Sequence, residues 1–180
     1  MFDETLKLIL ALEGRKPART LPRQLDALFE RLAHAANAVE ASQIEDAIWA
    51  AWMSHPDAVA EERLDLATRA IGAGDHADAE TLLDELVAAH PGYAEAWNKR
   101  ATLYFRMGRD ADSVRDIHRT LELEPRHFGA VCGFGQIALR RGQRTAALFA
   151  FDAALRINPH LGAVRTAREE LAAEAHGPAH

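Results

Sequence analysis

Residues 91–125 read PGYAEAWNKRATLYFRMGRDADSVRDIHRTLELEP, and this stretch decides how the whole chain is read. It offers a large ring at Trp97, a small residue at Ala101 and a second ring at Tyr104. A turn glycine follows at Gly108, then a core apolar side chain at Ile117 and a stop at Pro125. Working outward, the same pattern recurs. Pro91, Pro125 and Pro159 stand 34 residues apart, as do Gly74, Gly108 and Gly142. Ala67, Ala101 and Gly135 form a column of small residues, Ala70, Tyr104 and Ala138 another, and Leu83, Ile117 and Phe151 an apolar one. Each unit is read as helix, glycine turn, helix and proline. The small column lets two helices approach, the glycine permits a tight reversal, and the proline lacks an N–H and clashes with the preceding turn.

A period of 34 with these residue types closely resembles the tetratricopeptide repeat (TPR) family. The repeats run 60–93, 94–127 and 128–161. The resemblance implies an all-α fold, a right-handed α-solenoid of helix-turn-helix repeats with a C-terminal capping helix. Residues 162–175 are expected to be that cap, with Ala163, Val164, Ala167 and Leu171 covering the last repeat. One unit cannot bury its apolar face alone, and stacking makes the core continuous.

Upstream, 3–13 reads as a short helix with Asp3 as N-cap, stopped by Gly14. A basic linker with breakers at Pro17 and Pro22 completes an N-terminal segment of residues 1–23. Residues 24–39 place Leu25, Leu28, Phe29, Leu32 and Ala36 on one helical face. Ser42 with Glu45 reads as a capping box for a second helix running to Pro56. Because Pro56 lies 35 residues before Pro91, 24–59 is expected to be a degenerate TPR-like hairpin, a fourth repeat or an N-terminal cap. Trp49 and Trp52 are expected to pack on its first helix or on the next repeat. A helix as short as 3–13 is marginal alone; it docks on its own solenoid, on a second protomer or on a partner. Residues 176–180 are expected to form a disordered tail.

Composition excludes several function classes. Of the 180 residues 48% are hydrophobic, and the single cysteine, Cys132, rules out an intrachain disulfide framework. No run of about 18 apolar residues is present to span a membrane. The run LILAL at 8–12 follows Asp3 and Glu4 where a positive region would mark a signal peptide, and Lys7 breaks it. A cytoplasmic location is therefore expected, with export of a longer form as the alternative. The net charge of −6 divides unevenly: residues 1–93 hold 8 Lys+Arg against 17 Asp+Glu (−9), and 94–180 hold 13 against 10 (+3). The arginines of the second half are spread along helix faces without a reading motif, so no nucleic-acid partner is expected.

No nucleophile, phosphate-loop or metal motif is present. His55, His90 and His160 recur because the repeat recurs, and Gly177-Pro178 separates His176 from His180, so no metal and no cofactor is expected. Carboxylate pairs such as Glu61–Glu62 sit on solvated faces. The chain is expected not to be an enzyme.

The resemblance implies a concave groove lined by the first helix of each repeat. The facing columns carried over are Glu61, Glu95 and Gly129; Leu64, Asn98 and Cys132; Thr68, Thr102 and Gln136; Ile71, Phe105 and Leu139; and Gly72, Arg106 and Arg140. The partner-binding groove assigned on this basis is Leu64, Thr68, Ile71, Asn98, Thr102, Phe105, Arg106, Cys132, Gln136, Leu139 and Arg140. Asn98 and Gln136 offer a donor and an acceptor to a peptide backbone, and Arg106 and Arg140 offer charge to ligand acids. Gly129, Cys132 and Gly133 make the third wall shallow enough for a bulky side chain. The clamp by which some TPR proteins hold acidic heat-shock chaperone tails is disfavoured, since Leu64, Thr68, Gly129 and Gly133 stand in its columns and only Lys99 is basic. The function expected is a protein-binding adaptor. A secretion or assembly chaperone that dimerises or docks through residues 1–13, and a self-associating structural oligomer, are the alternatives.

Overall fold

The computed structural model describes residues 1–175, and the tail expected at 176–180, with His176 and His180, lies outside them. Ten helices form among the described residues. They are α1 (Phe2–Leu10), α2 (Gln24–Ala33), α3 (Ala38–Met53), α4 (Ala58–Ala73) and α5 (His76–Ala89), followed by α6 (Ala94–Arg106), α7 (Asp110–Leu123), α8 (Phe128–Arg140), α9 (Arg144–Ile157) and α10 (Gly162–Ala175). From α4 onward they pair as α4–α5, α6–α7 and α8–α9, with α10 against α9. The architecture is an all-α solenoid.

Local chemistry sets each reversal. Gly74, Gly108 and Gly142 have φ of +84°, +74° and +70°, a left-handed conformation that a side chain would strain. One residue beyond each glycine, the backbone N–H of Asp75, Arg109 and Gln143 donates to the carbonyl of Ala70, Tyr104 and Ala138 at 2.9, 2.8 and 2.8 Å. This closes the orphan carbonyls at the end of each first helix. At the other end, His90, Glu124 and Asn158 leave the helix immediately before Pro91, Pro125 and Pro159. Proline disfavours helical geometry in the residue that precedes it.

The first helices α4, α6 and α8 touch one another in sequence and form the concave layer; the second helices α5, α7 and α9 each lean on the first helix of the following unit instead. Within a pair the close approach depends on matched volumes. A Cβ on Gly135 would lie 2.5 Å from Phe151 Cε1. Where the second helix offers Leu83 or Ile117 in that column, the facing residue is Ala67 or Ala101, and both alanines are buried.

The N-terminal 53 residues wrap this core. Helix α1 lies between α7 and α9 on the outer layer. Leu8, Ile9 and Leu12 join Val114, Ile117, Leu121 and Ala153 in one cluster, and Phe2 meets Phe134 at 4.5 Å between ring centroids. The cap of α1 is Met1 without a side-chain bond, and Asp3 lies in the first turn, two positions too far along to cap it. Thr5 is buried instead, its hydroxyl donating to the Met1 carbonyl at 2.9 Å and meeting His118 Nδ1 at 3.1 Å.

The linker then crosses the proline-turn edge. The Ala18 N–H donates to the Leu123 carbonyl at 2.7 Å, and the Thr20 hydroxyl to that of Gly92 at 3.3 Å. Helix α2 ends at Ala33, short of the 24–39 expected, and α3 starts earlier than Ser42. The reason is Asn37. Its side chain accepts from the Glu40 N–H at 3.0 Å, while Glu40 accepts from the Ala36 N–H at 2.9 Å, a reciprocal cap that sets the start of α3. Ser42 and Glu45 therefore fall inside the helix. The hairpin does not stack ahead of α4 as a fourth repeat would. Helix α3 packs on α2 and α6, and its tryptophans reach the third repeat.

Gly135→Ala is expected to cost about 1–3 kcal/mol, because the added methyl meets the rigid Phe151 ring. Urea denaturation followed by circular dichroism measures it. Adding Phe151→Leu, which restores the volume pairing of the first repeat, is expected to recover most of the loss.

Candidate functional site

The concave face divides into a covered half and an open half. In the covered half α3 lies over the N-terminal ends of α6 and α8. Trp52 is buried and stacks on His127 at 4.0 Å with an interplanar angle of 12°. Trp49 meets Phe128 edge-on at 5.5 Å. Gly129 makes room for it: a Cβ there would lie 2.6 Å from Trp49 Cη2. Of the three residues expected to make this wall shallow, Gly129 forms a notch that the chain's own Trp49 enters, whereas Gly133 faces Ile117 of α7. The expectation that Trp49 and Trp52 pack on α2 or the next repeat holds in part for Trp52, which meets Phe29 at 5.9 Å. Both rings otherwise sit on residues 127–129.

Beneath the tryptophans is a buried polar cluster. His127 Nδ1 accepts from the Ala130 N–H at 3.1 Å, capping α8, which leaves Nε2 to donate to Glu95 Oε2 at 2.7 Å. Glu95 also accepts from Asn98 Nδ2 at 3.2 Å and pairs with Lys99 Nζ at 3.2 Å. Burial by itself pushes the Glu95 carboxyl up, but the His127 hydrogen bond, with Lys99 and Asn98, outweighs it and holds the group below the usual carboxylate range. Lys99 Nζ further lies 5.7 Å from the Trp49 ring centroid. Asn158 Nδ2 donates to Glu45 Oε2 at 3.0 Å, tying α3 to the end of the third repeat. Burial and the nearby Glu45 carboxylate push the Cys132 thiol up to about 12, which makes it a poor nucleophile.

The eleven groove residues separate accordingly. Leu64 and Ile71 are buried in the helix-packing core, Asn98 is bonded within the Glu95 cluster, and Cys132 is half-buried against the apolar core. Thr68 and Thr102 donate to their own helix, at Leu64 and Asn98 carbonyls 2.8 and 3.0 Å away. Phe105 and Arg106 on α6 and Gln136, Leu139 and Arg140 on α8 remain outside the covered half, with Arg106, Gln136 and Arg140 exposed and Phe105 and Leu139 half-buried. The two arginines repeat one geometry. Arg106 Nη1 donates to the Ile71 carbonyl at 3.0 Å and Arg140 Nη1 to the Phe105 carbonyl at 3.1 Å. Each staples its repeat to the preceding one. Arg140 also pairs with Asp110 and stacks 4.0 Å from the Phe105 ring centroid. Gly72 holds the same column in the first repeat and cannot do this.

The sequence pattern does not show Glu95 and His127 to be partners; its one hint is that Glu95 shares a repeat column with Gly129. Nor does it show a cavity of about 770 Å³ between the linker at Thr20–Gln24 and the turns holding His55, His90 and Tyr93. Its walls come from three separate stretches. The Tyr93 hydroxyl donates to the Met53 carbonyl, and burial raises the phenol above its ordinary value.

These features define a solenoid of paired helices with a concave face built from first helices. The tetratricopeptide repeat family profile matches residues 64–116 and 98–162, and the chain belongs to that family. A TPR repeat-containing protein of Rhizobium etli is 36% identical over 159 residues, 88% of this chain and 76% of that protein. Among solved structures, the first TPR of Spaghetti (RPAP3) bound to an HSP90 peptide superposes with a TM-score of 0.61 at 15% identity, covering 66% of this chain and 94% of that one. The Sgt2 TPR domain of Aspergillus fumigatus superposes with a TM-score of 0.62 at 14% identity, over 71% of this chain and 90% of that one. None of the described helices is long and apolar enough to cross a membrane.

Glu95→Gln is expected to cost about 1–3 kcal/mol at pH 7, the penalty of a weakened buried hydrogen-bond set. Because the folded-state pKa of Glu95 is depressed, its stabilisation is present above the unfolded value near 4.5 and is lost as pH falls through the lower folded value. Urea midpoints of wild type and variant are therefore expected to converge below pH 4.5.

Proposed function

We propose that this chain is a non-enzymatic scaffold that holds a segment of a partner protein on the open half of its concave face. The observation that carries the reading is the juxtaposition of Phe105, Leu139 and Gln136 beside the stapled arginines. Apolar area, an amide able to pair with a peptide backbone, and cationic guanidinium groups occupy one surface formed by two neighbouring repeats. Arg106 keeps donors beyond the one given to the Ile71 carbonyl, whereas Arg140 shares its charge with Asp110; both are exposed. Fixed by its staple, Arg106 presents charge at little further entropic cost, and a ligand acid at Arg140 would have to share it with Asp110.

The related structures lend the fold, and the HSP90 peptide belongs to the relative whose structure contains it. A chaperone tail is not the segment proposed for this chain. Lys99, the basic residue in the clamp columns, is committed to Glu95 and lies against Trp49. A dimerising chaperone would need residues 1–13 available, whereas Leu8 and Ile9 are 8% and 1% exposed between α7 and α9. The adaptor reading is therefore preferred over it.

The test places a photoreactive amino acid at Gln136, with an exposed outer-layer position, Arg115, as control. After irradiation in native lysate, adducts are mapped by mass spectrometry. A protein adduct at 136 that is absent at 115, and that disappears with Phe105→Ala/Leu139→Ala, is expected. Equal labelling at both positions, or no adduct at 136, would exclude the open half as the working surface.

A further inference from the structure

Resting on the adaptor reading, we infer that the covered half of the groove is also a partner site and that α3 occupies it as an intramolecular stand-in. The partner it fits is an amphipathic helix carrying two aromatic side chains three residues apart and a carboxylate one turn before them.

The occupant defines the chemistry. Glu45, Trp49 and Trp52 stand at i, i+4 and i+7, one face of a helix. Each has a dedicated seat on the solenoid: Asn158 for the carboxylate, the Gly129 notch for the first ring, and the His127 face for the second. Nothing in helix packing requires the notch. The equivalent positions in the other repeats are Glu61 and Glu95, and the glycine opens the wall only where Trp49 enters. Under the rings lie His127, the Glu95 carboxylate and Lys99, so the seat offers a polar floor beneath an aromatic side chain.

The docking is also incomplete. Trp52 Nε1 is buried without a hydrogen-bond partner among the described residues, an uncommon state for a buried indole. The hairpin hangs between two non-helical joints, residues 11–23 and 54–57, and does not stack on α4. On α4, Leu66 is 42% exposed and Val59 58% exposed. Arg100, in the Leu66 column, is instead held by Asp84 of the preceding helix at 2.8 Å. Val59 and Leu66 thus leave apolar surface on α4, beside the Met53 contact, onto which a released hairpin can move. Intramolecular occupancy then sets a threshold: a partner helix must outcompete a tethered copy present at high effective concentration.

The test uses the full chain and a fluorescein-labelled synthetic peptide with the sequence of residues 37–54. By fluorescence anisotropy, the peptide is expected to bind the Trp49→Ala chain at least about tenfold more tightly than wild type, whose own tryptophan fills the notch. A peptide with alanine at both tryptophan positions is expected to lose about tenfold or more, as is the Trp49→Ala/Gly129→Ala chain, in which the notch is closed. Equal binding of the two peptides, or no binding to a Trp49→Ala chain that keeps its helical circular dichroism, would overturn the inference. If that variant does not fold, the wild type is irradiated with the peptide carrying benzoylphenylalanine in place of its first tryptophan. Adducts within residues 127–133 support the site, and adducts elsewhere or none refute it. A chain that crosslinks partners at Gln136 but refuses the peptide would leave the adaptor reading standing and remove only this inference.

Discussion

A pair of helices exposes apolar surface on both of its flanks, and the need to cover both organises this molecule. Between repeats the cover is another repeat, which is why the chain repeats at 34 residues. At the C-terminal end α10 supplies it, with Leu171 buried against Phe151 and Ala147. At the outer layer, α1 fills the space between α7 and α9. At the concave layer, α2–α3 covers the N-terminal ends of α6 and α8. The N-terminal segment is thereby spread over both faces of the solenoid.

Covering surface in this way buries polar groups, and each needs a partner. Glu95 is satisfied by His127, Asn98 and Lys99. Asp116 is raised by burial, yet Arg100 bridges it at 2.7 Å and reaches Asp84 as well, linking three consecutive helices. Glu124, fully buried beside Pro125, receives Arg126, which in turn holds Asp26 of α2 at 2.7 Å. These contacts carry direction, which apolar contacts lack. They determine where along the solenoid the hairpin rests, since a shift by one turn would strand Glu45, Asp26 and the tryptophans together.

The candidate site shows the limits of a column. The repeat register puts Phe105, Arg106, Gln136, Leu139 and Arg140 at recurring positions of α6 and α8, because first helices in a regular stack present equivalent positions to the same side. It could not tell that Leu64 and Asn98 are consumed by packing and bonding, or that Arg106 and Arg140 face backward to carbonyls. Those outcomes depend on neighbours 35 residues away and on a segment outside the repeat. The Gly129 notch was legible as an absence of side chain; its filling by Trp49, 80 residues upstream, was not.

The sequence alone determined the helical class, the glycine turns, the proline stops and the 34-residue repeat of paired helices, because these follow from local backbone chemistry repeated at a constant interval. Only the tertiary structure decided where residues 1–53 go. Helix α1 and the α2–α3 hairpin have amphipathic patterns that state which face must be buried, but an apolar stripe is non-directional and accepts any complementary surface. The choice was made by particular long-range matches, Phe2 against Phe134, Trp49 over Gly129 and Glu45 with Asn158, none of which has a period to reveal it.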